Sequence, residues 1–146
     1  MFDILFRKGA LPLLEKGIYF SDARHRVLVN NIANIDTPFY KDQDLPEGEF
    51  KDVLAKSIEA RDRRTVRVFD FQGSSSVREK PNGDLDVAVG ESDLPGVLRH
   101  SENNVNPDRE AAKLVQNAGL HGFLTRLYAQ EMNLLDAAVR ERPTAG

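Results

Sequence analysis

Histidine and cysteine, versatile side chains for acid–base, nucleophilic and metal chemistry, are scarce in this 146-residue sequence. It contains three histidines, His25, His100 and His121, and no cysteine. A thiolate nucleophile, a disulfide framework and a thiolate-bound metal are therefore excluded. Asp22 and His25 stand one helical turn apart, the spacing of a carboxylate–imidazole base or of half a metal site. No third ligand follows at a usable interval, and packing in a helix interface is the simpler account of His25 and His121. The chain has no phosphate-binding glycine loop, nucleophile elbow or His-Glu-x-x-His pattern. Asp84 and Asp86, and Glu91 and Asp93, fall in loops where solvation is the default. Arg61, Arg63, Arg64 and Arg67 form a short basic run, but Asp62 interrupts it and Asp70 follows. With a formal charge of −3 and mixed signs, no basic face for nucleic acid is expected. The reading is no enzyme, no cofactor and no metal.

The polar groups that do demand a partner are amides. Residues 28–41 run Leu-Val-Asn-Asn-Ile-Ala-Asn-Ile-Asp-Thr-Pro-Phe-Tyr-Lys. Each asparagine inside a helix costs roughly half a kcal/mol against alanine, so Asn30, Asn31 and Asn34 are a local handicap. At spacings of three and four their amides share one strip of helix surface. Either they bond neighbouring chains and set register, as a buried polar residue does in a coiled coil, or Asn34 ends the helix while the others face solvent. On the first reading, Asn31→Leu should strengthen helix pairing and disturb register.

Two long helices must position these groups. The first is expected over 12–35, with Pro12 in its first turn and Pro38 forcing an end near Ile35 or Asp36. Leu14, Ile18, Ser21, His25, Leu28, Ile32 and Ile35 alternate steps of four and three, a coiled-coil seam. Leu13, Phe20, Val27 and Asn34 form a second line. The other helix is expected over 107–141, capped by Asn106 with Pro107 and Asp108 behind it. Ala111, Leu114, Ala118, His121, Thr125, Tyr128, Met132, Leu135 and Val139 form one line along it; Leu120, Leu124, Leu127, Glu131, Leu134 and Ala138 form another.

The centre is different material. Residues 36–105 carry ten basic and fifteen acidic side chains, whereas 1–35 carry five and three. A short amphipathic helix fits 47–60, on Phe50, Val53, Leu54, Ser57 and Ile58. Thr65–Val68 and Leu85–Val89 alternate like strands, with a turn at Pro81-Asn82-Gly83-Asp84. Gly73-Ser74-Ser75-Ser76 and 100–104 read as flexible connections. The expected fold is mainly α, a coiled-coil hairpin of the terminal helices around a small irregular middle region. Its divisions are 1–36, 37–105 and 106–146, the two ends forming one helical domain. No stretch approaches the ~18 apolar residues of a membrane span, and Met1–Lys8 is apolar before it is basic, the reverse of a cleaved secretory signal.

Each long helix carries two apolar lines, and a two-helix pair hides only one per helix. The remaining stripes call for other subunits. The string at 30–41 resembles the signature of the bacterial flagellar rod and hook family of axial proteins, Asn-Asn-(apolar)-Ala-Asn-x-x-Thr-x-Gly-Tyr-Lys. Asn103-Asn104-Val105-Asn106 is similar to the family's run before its last helix. The likeness covers about half the chain, and the short centre is most like a proximal-rod member. It implies a non-enzymatic rod subunit, exported by the flagellar type III apparatus and assembling with itself and other rod and basal-body components in the periplasm. The expected subunit interface is Leu14, Ile18, Leu28, Asn30, Asn31, Ile32, Asn34, Ile35 and Thr37, with Leu114, Leu124, Leu127, Tyr128, Met132 and Leu135. Phe39 stands where the family has glycine, so the turn is either made differently or Phe39 docks into a neighbour. The rival reading is a soluble coiled-coil adaptor that binds one partner and does not polymerise; an enzyme using Asp22 and His25 is the weaker one.

Overall fold

A computed structural model describes residues 10–63, 69–92, 98 and 100–140. Helix α1 spans Leu11–Ala33, α2 Glu47–Arg63 and α3 Pro107–Arg140. At 1.5 Å per residue, α3 is about 51 Å long and α1 about 35 Å. They lie antiparallel: Asn31 meets Glu110, Ser21 meets Asn117 and His121, and Gly17 meets Leu124. A Cβ on Gly17 would come within 3.0 Å of a Leu124 methyl, so the bare backbone there lets the helices close together.

The second line of α1 does not wait for another subunit. Phe20 packs with Leu45, Phe50, Val53, Phe69, Phe71 and Val77 in one buried cluster, flanked by Leu13 and Val27. The Phe20 and Phe50 rings stack with centroids 4.0 Å apart. The middle region folds back over α1 and supplies the apolar cover expected from neighbours. The expectation that both terminal helices leave a stripe bare is therefore corrected for α1. On α3, Val115, Leu120, Phe123, Leu134 and Val139 are exposed, though as a set they follow neither expected line.

Four short strands complete the middle: β1 Gln43–Asp44, β2 Val77–Glu79, β3 Leu85–Val87 and β4 Gly90–Glu91. β2 pairs antiparallel with β3 and β1 with β4. The turn at 81–84 forms as expected, with Gly83 at φ 88°. The partner of β3, however, is Val77–Glu79; the strand expected at Thr65–Val68 lies outside the described residues. The serine run is also fixed rather than flexible. Ser74 N–H donates to Val77 O at 2.7 Å, and Ala88 N–H donates to Ser76 O at 2.8 Å. A Cβ on Gly73 would sit 2.7 Å from Val77 O, so this tight turn needs glycine.

Candidate functional site: an amide clasp and its ionic support

The two asparagine-rich strings meet at one end of the hairpin. α1 stops at Ala33, two residues short of expectation, with Asn34 as C-cap. Its free carbonyls are taken by a side chain from the other string. Asn103 Nδ2 lies 3.0 Å from Asn34 O, 3.1 Å from Ile35 O and 2.8 Å from Thr37 O. Its Oδ1 accepts from Val105 N–H, and Asn104 Oδ1 accepts from Asp42 N–H at 2.7 Å. Asn106 caps α3, accepting from Asp108 and Arg109 N–H. One string thus finishes α1, holds the connection after it and starts α3, satisfying end groups that a helix cannot satisfy itself.

Asn31 is the centre of the clasp and fully buried. Its Nδ2 donates to Gln43 O and to Glu110 Oε2, both at 2.7 Å. Its Oδ1 accepts from Gln43 N–H and from the Tyr40 hydroxyl, both at 3.0 Å. That amide has no face left for another chain, which corrects the expectation of an inter-subunit bond at Asn31. Asn30 and Thr37 are exposed and Asn34 is half-buried. Leu14 and Leu28 are buried, and Ile18, Ile32 and Ile35 half-buried; on α3, Leu114, Leu124, Leu127, Tyr128, Met132 and Leu135 are half-buried. The exposed large apolar side chains of α3 are Val115, Leu120, Phe123, Leu134 and Val139.

Ion pairs support the clasp. Arg24 grips Asp44 with two nitrogens, at 2.9 and 3.1 Å, and also binds Glu47. Lys113 lies 3.0 Å from Asp44 and 3.1 Å from the fully buried Glu110; Arg109 binds the fully buried Asp42. Burial pushes the Asp44 carboxyl up, but hydrogen bonds from Arg24 and Lys113 outweigh it and hold it below the usual carboxylate range. Glu47 is likewise held low, by Lys51 first, against the opposing effect of burial and with help from Arg24. Sequence reasoning missed these groups, because Arg24 and Lys113 look like ordinary surface charges until the chain folds. It also missed Lys16, buried on α1 and bonded to Glu79 at 2.6 Å and Gly83 O at 2.5 Å.

Asp22 pairs with Arg26 at 2.6 Å rather than with His25, which is exposed. Ser21 Oγ lies 2.9 Å from His121 Nδ1, but Ser21 is fully buried and its hydroxyl also reaches Ile18 O. No substrate reaches that oxygen. A cleft of about 380 Å³ is lined by Arg24, Asp44, Glu47 and Lys113, whose charges already satisfy one another. Among the described residues no cluster of histidine and carboxylate side chains has metal-binding geometry. No described helix is long and apolar enough to cross a membrane.

The phenylalanine at the glycine position is settled geometrically. Phe39 adopts φ 63°, the left-handed conformation a glycine would take, and its N–H donates to Ser101 O at 3.0 Å. Phe39 itself carries the backbone strain of this turn.

The described structure is thus an antiparallel helical hairpin clasped at one end by paired asparagine strings. No family model matches the sequence. The chain is 32% identical over 111 residues to the flagellar basal body rod protein FlgB of Bacillus subtilis (strain 168), covering 75% of this chain and 76% of that protein. It is 27% identical to FlgB of Aquifex aeolicus (strain VF5) over 94% of this chain and 97% of that one. With FlgB of Borrelia hermsii it shares 25% identity over 80% and 85% of the two chains. The chain belongs to the FlgB family of flagellar basal body rod proteins.

Proposed function

We propose that this chain is a self-assembling structural subunit of the flagellar rod, joining other axial proteins to build the drive shaft. The exposed apolar side chains Val115, Leu120, Phe123, Leu134 and Val139 on α3 support this reading most directly. Five large apolar side chains along one helix are a standing cost in water that burial against neighbours removes, at about 25 cal/mol per Å². On this reading the burial is against rod and basal-body partners, reached through the flagellar export apparatus and located in the periplasm. Rod contacts run along α3, with Asn30, Thr37 and the half-buried seam residues at their margins.

Deleting the gene should leave basal bodies without a rod, and restoring it should return both rod and motility, as read by electron microscopy of isolated basal bodies. Leu134→Glu should keep the helical circular dichroism of the parent and still fail to restore the rod. If isolated basal bodies never contain this chain, the rod reading is wrong. A folded protein that binds one partner in sedimentation and never enters a larger assembly would favour the adaptor.

A further inference from the structure

Phe39 combines two features that rarely coincide. It is 70% exposed and holds φ 63°, a left-handed backbone conformation that a residue with a Cβ adopts only under strain. Its neighbour across the crossing loops, Glu102, is also left-handed at φ 56°, and Lys41 Nζ bonds Glu102 O at 2.6 Å. The loops are thus tied to each other behind the ring. An aromatic side chain held out on a braced turn is presented to something, and strain at such a site marks a use.

The matching surface lies on α3. Val115 is 73% and Phe123 58% exposed, and both sit on the side of α3 away from α1. Gly119, one turn from each, leaves open space between them: a Cβ there would meet nothing within 4 Å. Between Leu114 and Gln130 the helix carries one charged residue, the exposed Arg126, and no acid. Around Phe39 the exposed charges Asp36 and Glu102 are both acidic. Apolar faces apolar, and two carboxylates face one guanidinium.

We propose that Phe39 of one copy inserts between Val115 and Phe123 on α3 of a second copy, with Asp36 and Glu102 beside its Arg126. The ring cannot reach this place on its own chain. Phe39 is bonded to Ser101, ahead of the start of α3, while residues 119–123 lie about 18–24 Å further along that helix. The contact joins two different patches, so it does not close on itself as a two-fold pair would, and it propagates copy to copy. It names the second copy as one neighbour in the self-assembly proposed above, and rests on that reading.

The test is sedimentation velocity of the purified full chain over a concentration series. The parent should self-associate. Phe39→Gly should weaken association roughly thirtyfold, as loss of a central aromatic anchor does, while its thermal midpoint stays equal or rises because the turn strain is gone. Arg126→Glu should also weaken association, and adding Asp36→Lys should restore it. A parent that stays monomeric, a Phe39→Gly variant that associates like the parent, or an Arg126→Glu defect that Asp36→Lys leaves unrepaired overturns the proposal. Failure here with rods still built removes only this contact; association through Phe39 in a chain absent from basal bodies removes the rod reading instead.

Discussion

Removing the Asn31 carboxamide would strand four partners at once: both peptide groups of Gln43, the Tyr40 hydroxyl and a buried Glu110 oxygen. Leucine is nearly the same size and more apolar, so at an exposed or simply packed seam position the change would help. Here it leaves a buried carboxylate without a neutral donor, and an unsatisfied charged group costs more than an unsatisfied neutral one. Asn31→Leu is therefore expected to lose about 3 kcal/mol in urea unfolding, the reverse of the expectation drawn from periodicity. Asn30→Leu, on the exposed side of the same helix, should change the midpoint little. Equal effects of the two substitutions would contradict the clasp.

At the scale of elements, the C-terminal end of α1 is completed by a residue distant in sequence. Asn103 closes α1 from 69 positions away, bonding Asn34 O, Ile35 O and Thr37 O. Asn103→Ala should cost roughly 1–2 kcal/mol, since three carbonyls lose one shared donor. Amide exchange should then accelerate selectively around residues 30–40, while α2 and the β2–β3 hairpin keep their protection. Uniform acceleration across all three helices would show Asn103 to be a general core residue rather than a local cap. Gly73 has the same status in the hairpin region, where the Val77 carbonyl excludes any larger residue.

For the whole molecule, acidity tests whether ion pairs join the middle region to the hairpin. Arg24 on α1, Asp44 on β1, Glu47 on α2 and Lys113 on α3 link four elements through one network. Asp44 and Glu47 are held below their ordinary values in the folded state. Their contribution is thus fully present above the normal carboxylate range and is lost as pH falls through the folded values. The urea midpoint should hold from pH 7 to about 5 and drop below about 4. Asp44→Asn should flatten that drop. An unchanged acid limb in Asp44→Asn would show that other carboxylates govern it.

Much was already determined by residue order alone. Alternating steps of three and four, Pro12 in a first turn, Pro38 after the end of α1 and Asn106 before Pro107 are local signals. They located both long helices to within two residues at the described ends, because capping and backbone sterics act over one turn. The asparagine strings were visible as groups needing partners, and their kinship to axial proteins was legible from them. The partners themselves were not. Whether an amide meets solvent, a second chain or Glu110 depends on which segments cross, and no local pattern carries that information. Leu13, Phe20 and Val27 looked bare for the same reason: their cover comes from Phe50, Val53, Phe69, Phe71 and Val77, brought over α1 only when the middle region folds back. Tertiary structure decided that the clasp is internal and that the free apolar face belongs to α3, since burial and satisfied hydrogen bonds are properties of the closed chain.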